Sequence, residues 1–175
     1  MLKKFLTQPF IIFFCFFSFR FNFSFSQDAD VFFLKGEHKF KMGDYEEAIE
    51  DFSKTLEKDS NHINALSKRA FCYSFKGMYS EAVADFDKVI KVKPDYIQGY
   101  LSRGSAKNKL NQFSEAIVDF NKVLSLDSKN TEALNNRGWA KKGLNNFAGA
   151  CEDWEQSKKL GNAEAKIIMK NNQCK

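Results

Sequence analysis

The sequence predicts an all-α protein, built as a right-handed superhelical array of antiparallel helix pairs, an α-solenoid. Three observations support this prediction. Small, alanine and aromatic residues each recur four times at a spacing of 34 positions. The apolar residues between them follow the periodicity of one helix face. The 175 residues include only two Pro and nine Gly, which suits long helices joined by short turns. Because one helix pair cannot bury its own apolar face, the units must stack.

Residues 1–26 have the layout of an export signal, and we do not assign them to the fold. A positive start (MLKK) precedes an apolar run at 10–19 that is too short for a membrane span of about 20 residues. Two small residues, Ser24 and Ser26, stand before the expected cleavage point at the positions that a signal peptidase reads. The alternative is an uncleaved N-terminal membrane anchor, which Arg20 disfavours because it interrupts the apolar stretch. We therefore expect export to the periplasm or cell envelope.

The period divides the rest of the chain into four units and a cap. The units are residues 29–62, 63–96, 97–130 and 131–164, and an amphipathic segment at 163–172 would close the array. The small column is Gly36, Ala70, Gly104 and Gly138, the alanine column is Ala48, Ala82, Ala116 and Ala150, and the aromatic column is Phe52, Phe86, Phe120 and Trp154. Small residues let two helices approach closely, and the large ring fills the space between one pair and the next.

These columns resemble the tetratricopeptide repeat family. Its pattern runs from a large residue through Leu-Gly, Tyr, Ala, Phe and Ala to Pro within one unit. Here the large position holds Phe32, Leu66, Tyr100 and Leu134, and Pro94 alone holds the proline. The resemblance covers residues 29–164. It implies an interaction scaffold or adaptor that holds other proteins, but it does not identify the partner.

The chain departs from the family pattern before the small column, where the family has Leu. Basic residues stand there, Lys35, Arg69, Arg103 and Arg137, and acids stand sixteen positions later, Asp51, Asp85, Asp119 and Asp153. Both positions lie equally far from the turn of an antiparallel pair, so we expect a ladder of Arg–Asp or Lys–Asp pairs within the protein. The alternative is a basic strip that binds an acidic ligand.

The resemblance also implies that the first helix of each unit lines a concave binding face. Its outward positions give these candidate partner-binding residues: Phe33, Glu37, Phe40, Asn64, Ser67, Phe71, Phe75, Leu101, Asn108, Asn135, Trp139 and Lys142. Aromatic residues on such a face suit a peptide groove with apolar pockets, unless some of the rings pack against neighbouring helices. The family's clamp for chaperone C-termini has Lys and Asn where this chain has Phe33 and Glu37, so that ligand is not expected.

Three cysteines remain if the signal is removed, and two of them admit two interpretations. Folding the cap back about Gly161 brings residue 151 near the C-terminal end of the cap, which allows a Cys151–Cys174 disulfide in an oxidising compartment. Alternatively, Cys151 is a small buried residue and Cys174 is a free thiol near a frayed end. We expect Cys72, inside a first helix, to be a core residue.

Charge and motifs argue against several function classes. Removing Lys3, Lys4 and Arg20 lowers the 27 basic residues to 24, against 22 acids, a balance that gives no reason to expect nucleic acid. His38 and His62 are isolated, and the sequence has no phosphate loop or nucleophile motif. We therefore expect no enzyme activity, no cofactor and no metal site. The expected partner is a protein or peptide, with membrane contact only through the export signal. Self-association into an envelope structure is the alternative.

Overall fold

The computed structural model describes residues 28–174. The predicted export signal lies outside these residues. The helices are α1 (28–42), α2 (Tyr45–Lys58), α3 (Ile63–Phe75), α4 (Tyr79–Val92), α5 (Ile97–Lys109), α6 (Phe113–Leu126), α7 (Thr131–Gly143), α8 (Phe147–Lys159) and α9 (Ala163–Asn171). This part of the chain has no strand, which confirms the prediction of an all-α array of helix pairs. None of its helices is long and apolar enough to cross a bilayer.

Each helix pair turns at a residue in the left-handed backbone region. Gly43 and Gly77 have φ values of 87° and 76°, and Asn111 and Asn145 have values of 60° and 61°. Gly and Asn are the residues that adopt this conformation at least cost, and it ends the first helix. The following helix begins two residues later in every case. The same turn therefore recurs in all four units.

The described chain separates into two compact parts that divide between Ala65 and Leu66. In the first part, α1 and α2 enclose Phe52, whose ring is fully buried. A Cβ atom added at Gly36 would lie 2.7 Å from this ring, so the small residue is what lets the ring approach the helix. The small and aromatic columns are thus two sides of one contact.

The second part, residues 66–174, repeats this contact along its length. Phe120 and Trp154 are fully buried, and they lie against Gly104 and Gly138 respectively. The Trp154 Nε1–H group donates to the Asn135 carbonyl oxygen at 3.2 Å, which satisfies the buried indole. Helix α7 contacts both α6 and α8, and α8 contacts α9, so each pair is covered by the next element.

The ladder of ion pairs is present in units two to four. Arg69 Nε lies 2.7 Å from Asp85 Oδ2, and Arg103 and Arg137 each bind their aspartate through two nitrogen atoms. Burial alone would lower the pKa of Arg103, but hydrogen bonds to Asp119 and Asp87 outweigh it, and the pKa is raised. The three ladder aspartates, Asp85, Asp119 and Asp153, are almost completely buried. The pairing interpretation is therefore correct for these three units.

In unit one the predicted Lys35–Asp51 pair is wrong. Lys39, one helical turn further along α1, approaches Asp51 Oδ2 at 3.4 Å, while the Lys35 ammonium lies over the Phe32 ring. Units three and four also have a lysine at the position of Lys39, and there it supplements the arginine. With no arginine in unit one, this lysine is the first-helix cation that meets the aspartate.

Candidate functional site

A pocket of about 550 Å³ lies between α5 and α7, the first helices of units three and four. It is lined by Ser105, Asn108, Lys109, Phe113, Asn136, Trp139, Lys142 and Gly143. Three of the predicted binding residues, Asn108, Trp139 and Lys142, therefore meet at one site. Ser105 and Lys109 also stand at outward first-helix positions of unit three, whereas Phe113, Asn136 and Gly143 were not predicted for this face.

Differences among the units explain why the pocket opens here. At the ninth position of a unit, Phe71 and Trp139 rest edge-on against the buried rings of Phe86 and Trp154, with centroids 5.3 and 5.1 Å apart. The same position in unit three holds Ser105, whose smaller side chain lines the pocket. Trp139 itself remains 41% exposed, so one face of its ring is available.

Gly143 shapes the other end of the pocket. A Cβ atom added there would lie 2.6 Å from the Phe113 ring, so any larger residue would displace the ring. Gly143 is the last residue of α7, and Phe113 is the first residue of α6. This close approach brings an aromatic ring from a second helix to a face otherwise formed by first helices.

A short chain of hydrogen bonds links the polar lining residues. Asn136 Nδ2 donates to Ser105 Oγ at 3.2 Å, and Asn108 Nδ2 donates to the Asn136 carbonyl oxygen at 2.9 Å. Because this carbonyl requires a donor, the orientation of the Asn108 amide is fixed. Asn108 Oδ1 is then a buried acceptor with no hydrogen-bond partner in the described part of the chain.

The charged lining residues are lysines only. Lys142 Nζ lies 5.1 Å from the centre of the Trp139 ring and donates to Asn172 Oδ1 at 2.5 Å. Lys109 is exposed at the end of α5 and forms no ion pair among residues 28–174. By contrast, Lys107 and Lys141 are 2.9 Å from the ladder aspartates, so their charges are already compensated.

The structure contradicts the assignment of three candidates to the binding face. Leu101 is 3% exposed and packs in the core with Phe120 and Val123. Ser67 and Asn135 are also buried. All three occupy the fifth position of their units, which points into the protein, so their side chains are not accessible to a partner.

The other candidates do not line the pocket. In the first compact part, Phe33 packs near Phe52 and His62, Phe40 packs against Tyr45, Glu37 is partly buried, and Asn64 is exposed. In the second part, Phe71 packs on Phe86, as described above, and the Phe75 ring is 61% exposed. The alternative in which some aromatic residues pack inside the protein therefore applies to Phe33, Phe40 and Phe71.

The end of the chain is attached to α8 beside the pocket. A disulfide joins Cys151 to Cys174, with their Cα atoms 5.6 Å apart, and both residues pack against the cluster of Trp154, Ile168 and Met169. This attachment holds Asn172, the hydrogen-bond partner of Lys142, in place. Cys72 is a free, buried thiol, and burial raises its pKa to about 11.

Stacked antiparallel helix pairs with an accessible first-helix face define an α-solenoid interaction scaffold, a class that binds other proteins. The chain belongs to the tetratricopeptide repeat family, whose model matches residues 29–62, 63–96 and 97–130, more than half of the sequence. No protein with a curated description matches the sequence significantly.

Solved structures of the same fold include relatives at two levels of similarity. The crystal structure of MamA protein is 21% identical, with a TM-score of 0.73 over 77% of this chain and 73% of that chain. A fragment of MamA from Desulfovibrio magneticus RS-1 is also 21% identical, with a TM-score of 0.73 over 76% and 75%. The first tetratricopeptide domain of Spaghetti (RPAP3), bound to the HSP90 peptide SRMEEVD, is 31% identical, with a TM-score of 0.64 over 69% and 95%.

Proposed function

We propose that this protein is an exported adaptor that binds a peptide segment of another protein in the pocket between α5 and α7. The observation that carries the proposal is the partly exposed Trp139 ring in a pocket of about 550 Å³. This volume accommodates a few side chains rather than a folded domain. An aromatic ring beside fixed polar groups is also the usual composition of a binding hot spot.

Two further observations support the proposal. The Spaghetti domain, a relative with the same fold, binds a short peptide, so a peptide is a suitable ligand for this architecture. Export is supported by the layout of residues 1–26 and by the Cys151–Cys174 disulfide, since disulfides persist in oxidising compartments.

The test is selection of a phage-displayed random octapeptide library on the purified chain beginning at Gln27. Enriched peptides should bind the Trp139→Ala variant at least about tenfold more weakly than the wild type, because truncating a central aromatic anchor costs about 2 kcal/mol. Phe147→Ala is the matched control. That ring is 53% exposed on α8, the second helix of the same pair, and does not line the pocket.

Titration calorimetry measures the affinities, and circular dichroism checks that both variants remain folded. Equal loss of affinity in Trp139→Ala and Phe147→Ala would place the peptide elsewhere. If no peptide is enriched and sedimentation shows mass increasing with concentration, the protein is instead a self-associating structural component.

A further inference from the structure

We infer that the pocket between α5 and α7 selects an extended peptide segment in which an acidic side chain stands two positions from an apolar one. This inference rests on the proposed function and specifies the chemistry of its ligand. Two features of the lining carry it: the sign of its charges and the spacing between a ring and an ammonium group.

The charge of the pocket is entirely positive. Its eight lining residues include two lysines and no acid. The surrounding part of the chain, residues 66–174, contains 18 Lys and Arg against 12 Asp and Glu. Arg103, Arg137 and their neighbouring lysines are bound to buried aspartates, so they are not available to a ligand. Lys109 and Lys142 have no carboxylate partner among the described residues, and a ligand carboxylate would supply one.

Lys142 is held in a position from which it can meet a ligand. Its ammonium group donates to Asn172 Oδ1, a neutral acceptor, so the contact orients the group without neutralising its charge. The Cys151–Cys174 disulfide, two residues from Asn172, keeps this acceptor at the pocket. An ammonium group that is already oriented loses less side-chain entropy on binding than a mobile one.

The spacing within the pocket sets the order of the side chains. The Lys142 ammonium is 5.1 Å from the centre of the Trp139 ring. In an extended chain the side chains that share a face belong to residues two positions apart, about 6.6 Å along the strand. A side chain that packs on Trp139 therefore places a carboxylate two positions away within reach of Lys142, and Lys109 on the facing helix can accept a second one from the other side.

The probe is a fluorescein-labelled heptapeptide, Gly-Asp-Ser-Phe-Ser-Asp-Gly, whose Phe and two Asp side chains share one face of an extended chain, with its C-terminus amidated so that it has no terminal carboxylate. Its neutral counterpart is Gly-Asn-Ser-Phe-Ser-Asn-Gly, which has the same shape. Fluorescence anisotropy in low salt should show the acidic peptide binding at least about tenfold more tightly, since close opposite charges add to affinity. Raising the salt to 0.5 M should reduce the difference, because salt screens partly exposed charges.

Lys109→Gln/Lys142→Gln should abolish the preference, so that this variant binds the acidic and the neutral peptide with equal affinity. Lys129→Gln/Lys166→Gln is the control. It removes the same charge from two exposed lysines that do not line the pocket, and it should keep the preference. Loss of preference in both variants would mean that only the net charge of the protein matters, and would overturn the inference.

The remaining outcomes separate this inference from the proposed function. Equal affinity of wild type for both probes, with binding still lost in Trp139→Ala, overturns the acidic preference and leaves a peptide adaptor. Absence of binding by either probe and by any library peptide overturns both. Displacement of the acidic probe by a single-stranded oligonucleotide, or by a second copy of the chain at concentrations where sedimentation shows a dimer, assigns the lysines to that ligand and also overturns the inference.

Discussion

At the scale of single residues, the ladder aspartates show how a charge is kept inside a helix pair. Asp119 is 1% exposed and accepts hydrogen bonds from Arg103 and from Lys107 at 2.9 Å. Arg103 also reaches Asp87, an exposed residue of the preceding pair, at 2.5 Å. A buried carboxylate that loses such a partner cannot recover its hydration, so the cost of removing the partner is large.

Replacing Arg103 with methionine should therefore lower the free energy of unfolding by about 3 kcal/mol, the usual cost of breaking a buried ion pair by removing one partner. Lys122→Met is the matched control. It removes an exposed ion pair with Asp95, at 3.4 Å, and should change stability by less than about 1 kcal/mol. Urea denaturation of the two variants measures both values. If both variants lose a similar free energy of unfolding, the burial of Asp119 does not increase the stabilisation that Arg103 provides.

The ladder could be predicted from the sequence because it depends only on equal distance from a turn. The same rule gave the wrong cation in unit one. Lys39 replaces Lys35 there because a flexible lysine stem can reach Asp51 from the next helical turn. The distance of each residue from the turn determines which positions of the two helices can meet. The choice between two cations one helical turn apart depends on side-chain packing.

At the scale of elements, α9 is a short helix that covers the last pair. Ile168 and Met169 pack in one cluster with the buried Trp154 ring, Ala165 is also buried, and Asn162 caps the helix by accepting a hydrogen bond from the Ala165 N–H group. Nine residues are too few to hold a helix by intrinsic propensity. The Cys151–Cys174 disulfide supplies the additional constraint.

Cys151→Ser/Cys174→Ser should lower the free energy of unfolding of α8 and α9 by about 3 kcal/mol, since the bond closes a segment with a sequence separation of 23. Reductant should lower the wild type to the same level and leave the double variant unchanged, which controls for effects on Cys72. Protein isolated from its native cells, cleaved after Ser26 as proposed, should then show one thiol when it is denatured without reductant. Three thiols would mean that the bond is absent in the cell.

The pocket shows which site residues the repeat pattern alone does not identify. The family resemblance indicated the first helices as the binding face, and Asn108, Trp139 and Lys142 do meet there. Position alone did not separate them from Leu101 and Asn135, which point inward because the fifth position of a unit faces the core. The sequence shows that Ser105 stands where units two and four have an aromatic residue. That this opens a pocket follows only from the structure, in which Phe71 and Trp139 pack against the buried rings of the aromatic column.

At the scale of the whole molecule, the described helices of residues 66–174 make their contacts within a helix pair or between adjacent units. Helix α5 contacts α4, α6 and α7, and α9 contacts α8. In such an array stability is approximately a sum of unit and nearest-neighbour terms, so a local lesion should weaken its neighbours before distant units. The disulfide at the end of the chain offers a reversible lesion at a known place.

Reducing the Cys151–Cys174 bond should accelerate amide hydrogen exchange in α9 and, to a smaller extent, in α8, with no measurable change in α5 and α6. The reason is that α9 loses its covalent attachment, while the core cluster around Phe120 keeps all of its contacts. Peptide-resolved mass spectrometry in dilute buffer, with and without reductant, measures this, and Cys151→Ser/Cys174→Ser controls for the reductant itself. An equal acceleration in α5 and α6 would show that residues 66–174 unfold as one cooperative unit. The pocket between α5 and α7 would then depend on the state of the disulfide through the stability of the whole array, rather than through the Lys142–Asn172 contact alone.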